Sequence, residues 1–111
     1  MKKTKNYMKY KKIYLVGDGY KRAPFELVLT YNGYDLEFDR KLEELANRNT
    51  GIETGAGYGC ESDERDISYD FFNEKGLKQF IRKIKTRYKN AFVDISVTQY
   101  SLIFNSDDYF L

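Results

Sequence analysis

Residues 50–72, TGIETGAGYGCESDERDISYDFF, constrain the fold of this chain more than any other stretch. Between 52 and 60 the side chains alternate. Ile52, Thr54, Ala56, Tyr58 and Cys60 share one parity, and Glu53, Gly55, Gly57 and Gly59 share the other. A period of two is the signature of a strand, because successive side chains leave it on opposite faces. The run Glu61, Ser62, Asp63, Glu64 has low strand propensity and reads as an exposed turn. Alternation then resumes, with Ile67, Tyr69 and Phe71 against Ser68, Asp70 and Phe72, so the stretch predicts a β-hairpin.

Glycine weakens a strand interior, since it loses more conformational entropy than other residues and has nothing to pack. Gly55, Gly57 and Gly59 on one face of one strand therefore need a reason. The ordinary one is a bulge or strong twist near a sheet edge. The sharper one is a bare strip of backbone that a partner can approach closely. On that second reading these glycines, with Phe72 and Phe92, form the candidate partner-binding set.

The flanking segments supply the covering elements. A short strand is expected at 12–16, and a clear one at 25–31 with Phe25, Leu27, Leu29 and Tyr31 facing the core. A helix follows over 36–48, where Phe38, Leu42, Leu45 and Ala46 make one buried stripe, Asp35 caps the start and Gly51 serves as the stop. A second helix over 74–89 is capped by Asn73 and buries Leu77, Phe80, Ile81, Ile84 and Tyr88. A strand over 92–98 points Val93, Ile95 and Val97 inward, and the tail from Tyr100 to Phe104 is strand-like.

Apart from the short strand at 12–16 and the tail, the elements run β-α-β-β-α-β. Two right-handed β-α-β crossovers of that kind predict an α+β fold, the ferredoxin-like plait: an antiparallel sheet with both helices on one face. The N-terminal strand and the C-terminal tail are then extensions. Residues 1–11 read as a basic, mobile N-terminal arm and residues 12–111 as a single α+β domain, a length that suffices for one core.

Composition removes several function classes. The chain has no histidine, so a Ser-His-Asp or Cys-His arrangement is impossible. Its single cysteine, Cys60, can form neither an intramolecular disulfide nor a Cys-rich zinc site. The 17% aromatic content argues against disorder. No stretch approaches the ~20 apolar residues of a membrane span, and the apolar run at 13–16 is too short for a signal peptide. A soluble, cytoplasmic protein without membrane contact is the expectation.

Gly55-x-Gly57-x-Gly59 imitates a dinucleotide loop but fails on context. A phosphate-cradling loop opens a helix, whereas these glycines lie in a strand followed by carboxylates that repel phosphate. The acidic group Glu61, Asp63, Glu64 and Asp66 lacks the ligand spacing of a calcium loop and reads as a solvated turn. No metal site and no cofactor are expected. The one enzyme-like set is Glu26, Asp70 and Asp94, which share outward parity on strands that a plait makes neighbours. Three such carboxylates suit Mg²⁺-dependent phosphodiester chemistry, and an ordinary polar sheet face suits them better. The chain therefore leans away from being an enzyme.

The same outer face would carry Phe72 and Phe92 among carboxylates, which argues against RNA bases stacked on it as in an RRM. Basic residues cluster elsewhere: six lysines in the first twelve residues, including Lys9, Lys11 and Lys12, and Lys78, Arg82, Lys85 and Lys89 on the second helix. Together they would make a stripe for a nucleic-acid backbone, although solvated lysine-rich helix faces are commonplace. With 17 acids against 19 bases, such binding would be local. The leading expectation is a small non-catalytic binding or regulatory protein acting through protein contacts, as a homodimer or with another protein, ahead of nucleic-acid binding and of a metal-dependent phosphodiesterase.

Overall fold

The computed structural model describes the backbone of residues 8–16 and 23–103, with side chains for 9–11 and 23–100. The elements run β1 (Met8–Val16), β2 (Phe25–Asn32), α1 (Leu36–Arg48), β3 (Gly51–Gly59), β4 (Glu64–Phe71), α2 (Glu74–Arg87) and β5 (Phe92–Ile103). Among the described residues they form an α+β fold with two helices and one mixed five-stranded sheet, ordered β1-β5-β2-β4-β3. β1 runs parallel to β5, and the other neighbours are antiparallel. Residues 1–7 of the expected arm and the polar residues 105–108 of the expected tail lie outside the described residues, while Met8–Lys11 belong to β1.

One face of the sheet holds the core. Leu27 pairs with Tyr69 on one side and Val97 on the other, and Leu29 pairs with Ile67 and Ile95, so these rows point to the same side. Leu42, Leu45 and Ala46 of α1 and Leu77, Phe80 and Ile84 of α2 join them in one buried cluster. Burying side chains of this size stabilises by about 1.5–3 kcal/mol each, which is what selects the face. Asp35 and Asn73 cap the helices as their positions predict, each accepting a bond from the backbone N–H three residues on.

The opposite face, with Glu26, Val28, Thr30, Asp66, Ser68, Asp70, Asp94, Ser96 and Thr98, is polar and carries neither helix.

Several local expectations are corrected. α2 ends at Arg87, not Lys89, and the expected strand at 92–98 and the tail are one continuous β5. Gly51 is not the stop after α1. Asn49 is the C-cap, Thr50 takes the left-handed backbone at φ 67, and Gly51 already belongs to β3. Glycine is required there for space: a Cβ would lie 2.5 Å from Cε2 of Phe71.

Two bulges reverse predicted faces. The β2–β5 register shifts between Thr30 and Tyr31, so that Tyr31 pairs with Phe92 and Thr30 with Asp94. Phe92 thereby turns into the core at 0% exposure and stacks on Phe38 at 5.9 Å, while Val93 turns outward at 37%. Phenylalanine has the larger apolar area to bury, so the exchange favours this register. The β3–β4 register shifts between Glu53 and Gly55, leaving Thr54 as the extra residue. Ile52 therefore shares the polar face with Gly55, Gly57 and Gly59, and Glu53 faces inward with Ala56 and Tyr58.

Candidate functional site

Among the described residues β3 is an outer strand of the sheet and hydrogen-bonds to β4 alone. Ile52 and every residue from Thr54 to Gly59 are exposed. A Cβ at Gly55 or Gly57 would meet nothing within 4 Å, so the glycines leave the polar-face side of this strand bare. An outer strand carries a row of backbone N–H and C=O groups without a neighbour, and proteins usually guard it with lysine, proline or bulges. β3 has no lysine and no proline, and its bulge at Thr54 lies before Gly55–Gly59.

The inward side of the same strand end is aromatic and charged. Tyr31, Arg65 and Tyr58 lie side by side across β2, β4 and β3. Arg65 donates from Nε to Oδ2 of Asp39 on α1 at 2.9 Å, and its Nη2 lies 2.9 Å from the same oxygen. The Tyr31 hydroxyl donates to Oδ1 of Asp39 at 2.5 Å. Burial, followed by that bond to a carboxylate, pushes the Tyr31 hydroxyl up to about 12. For Arg65, burial works against the charge, but the bond to Asp39 and its negative field outweigh burial and raise the guanidinium's pKa.

The guanidinium carbon of Arg65 stands 4.3 Å from the centre of the Tyr34 ring, a cation–π contact. Tyr34 meets Tyr58 edge-on at 5.0 Å, and the Tyr58 hydroxyl donates to Asp63 at 2.5 Å in the hairpin turn. That bond raises the Tyr58 pKa. Tyr34 is 54% exposed and Tyr58 37%, so an aromatic pair anchored on a buried ion pair flanks the glycine edge.

Sequence reasoning found the glycines but not this second layer. Asp39 lies three residues before Leu42 and seven before Ala46, on the apolar stripe of α1. Arg65 shares the inward parity of Ile67, Tyr69 and Phe71. A charge at a core position was the available signal for both.

The other candidates are distributed as follows. Glu26 and Asp70 are direct cross-strand partners, but Asp94 pairs with Thr30, four residues along β2 and so about 13 Å from Glu26. Glu26 accepts a bond from the Tyr100 hydroxyl at 2.9 Å, and Asp94 is engaged by Lys9 at 3.5 Å and Ser96 at 3.2 Å. Among the described residues no group of three or more Cys, Asp or Glu side chains could hold a metal ion.

Lys9 and Lys11 pair in register with Ser96 and Thr98, which places them on the polar face, at a cleft of about 440 Å³ lined also by Val28. Lys12 follows in β1, opposite Gln99. Lys78, Arg82 and Lys85 belong to α2, with Lys89 just beyond its end, and α2 packs on the other face of the sheet. The sheet thus separates Lys9 and Lys11 from the basic residues of α2, with which they form no common stripe. Lys78 is paired with Glu74 at 3.1 Å. Phe72 is 53% exposed just past β4, whereas Phe92 is buried in the core and unavailable to a partner.

Cys60 is a free, exposed thiol at the start of the turn. Among the described residues no helix is long and apolar enough to cross a membrane. Compared with protein-family models, curated proteins and solved structures, the chain has no significant match in any of the three.

Proposed function

We propose that this chain is a small non-catalytic binding protein that acts by lending an outer strand to a protein partner. We read its fold as a ferredoxin-like plait formed by β2, α1, β3, β4, α2 and β5, with β1 added in parallel beyond β5. The carrying observation is β3: an outer strand, exposed from Thr54 to Gly59 and free of lysine and proline, with the Tyr34–Tyr58 pair beside it. Strand addition uses main-chain hydrogen bonds for affinity and neighbouring side chains for selectivity; β3 offers an outer backbone edge, and the exposed Tyr34–Tyr58 pair lies beside it. The separation of the three carboxylates supports a role without phosphodiester chemistry.

The test is selection of nine-residue peptides from a random library on the immobilised protein, followed by amide exchange. Selected peptides are expected to slow exchange across 51–59 and leave α2 unchanged. Recovery of no binder, or protection confined to another element, overturns the reading.

A second reading is nucleic-acid binding by α2 alone. It rests on Arg82, Lys85 and Lys89, which engage in no ion pair among the described residues. Affinity for labelled DNA or RNA should then fall log-linearly with salt, and Arg82→Ala with Lys85→Ala should flatten that slope by about two charges. Salt-independent or absent binding removes it.

A further inference from the structure

We infer that the partner of β3 is a second copy of this chain, added antiparallel about a two-fold axis through Gly57. The inference rests on the strand-lending reading above and names its occupant.

The register follows from where β3 is regular. The bulge at Thr54 ends regular pairing on one side and the turn after Gly59 ends it on the other, leaving Gly55–Gly59 as an unbroken segment. Its midpoint is Gly57. An axis there lets all five residues of each copy pair, about 17 Å of strand. An axis at Ala56 would run the partner into the bulge, and one at Tyr58 would run it into the turn.

The side chains are self-complementary in that register. Each Ala56 faces the other copy's Tyr58 on the inward side, setting a large ring against a small neighbour. On the polar face Gly55 faces Gly59, and Gly57 faces Gly57, with no side chain to obstruct the approach. No residue from 55 to 59 is charged, so no like charges meet. The exposed Tyr34 of each copy, packed edge-on to Tyr58, extends the contact beyond the backbone. Tyrosine is enriched in interfaces because its ring is apolar and its hydroxyl tolerates water.

The contact is small, so it belongs with the weak, transient class of interfaces. The apparent mass in sedimentation equilibrium should rise toward that of two copies between roughly 10 µM and 1 mM protein. It should do so equally at low and high salt, since no ion pair crosses the axis.

Register is read by cysteine placement in a Cys60→Ser background. Gly57→Cys should cross-link rapidly under oxidised glutathione, because residues paired across the axis have Cα atoms within disulfide range. Gly55→Cys, paired with residue 59 of the other copy, should cross-link at least tenfold more slowly. Both sites have open space for a side chain, so both variants should fold. A wild-type chain that stays monomeric to about 1 mM overturns the self-pairing. Equal cross-linking at 55 and 57 overturns it too. The peptide selection described above reads whether β3 lends its edge at all, so failure of the second copy and failure of the edge are told apart.

Discussion

Arg65 and Asp39 meet at 2.9 Å where each side chain keeps only 11% of its surface in water, joining β4 to α1 across the core. Taking one partner away leaves a buried charge with nothing to balance it, and that costs more than the pair contributes. Asp39→Ala should therefore lower unfolding free energy by about 3–5 kcal/mol in urea titration. Replacing both residues with leucine should cost much less. A double variant as unstable as the single one would contradict this account.

The Tyr69 hydroxyl gives the opposite sign. Its ring is fully buried, 5.6 Å from Phe80 and 6.5 Å from Phe71, and the oxygen has no hydrogen-bond partner among the described residues. Burial, then the negative field of Glu53, drives its pKa upward. An unsatisfied buried hydroxyl is a cost, so Tyr69→Phe should leave stability unchanged or raise it by up to about 1 kcal/mol. A loss in thermal or urea unfolding would reveal a partner for that oxygen.

Glu53 makes stability depend on pH. Burial, followed by the charges of Glu43 and Asp39 and partly offset by Arg65, raises its pKa above the ordinary 4.5. A carboxyl raised on folding favours the folded state while protonated, and that contribution is lost as pH rises through its folded value. Glu53→Gln should thus be more stable than wild type at pH 7. The gap should close as pH falls below about 4, where the unfolded carboxyl is protonated too. A gap that is constant across that range would remove Glu53 as its source.

Gly76 and Gly55 separate two uses of glycine. A Cβ at Gly76 in α2 would lie 2.0 Å from the carbonyl oxygen of Asn49, which is backbone and cannot swing away. Gly76→Ala should destabilise by about 1–3 kcal/mol, although alanine is the better helix former by about 1 kcal/mol. At Gly55 a Cβ meets nothing, so Gly55→Ala should be neutral or stabilising by less than about 1 kcal/mol. Melting temperatures of the two variants decide it.

Legibility followed the range of the interaction. α1 was readable to the residue, because its apolar spacing and the Asp35 cap are local. The alternation that puts Gly55, Gly57 and Gly59 on one face of one strand was readable too. The faces of Phe92 and Val93 were not, since a bulge arises only when β5 is held against β2. Nor was the site behind the strip. Asp39 and Arg65 are 26 residues apart, and neither announces the other.

By itself, the sequence determined the order of the main strands and helices, which chemistries lack their residues, and that one strand would be bare of side chains on one face. Periodicity, capping and composition act over a few residues and need no partner. Only the tertiary structure decided that this strand is outermost, that its regular segment begins after Thr54, and that a buried ion pair carries the aromatic pair beside it. Those outcomes depend on register between distant strands and on the cost of leaving a charge unpaired, and both take effect only when the chain is folded.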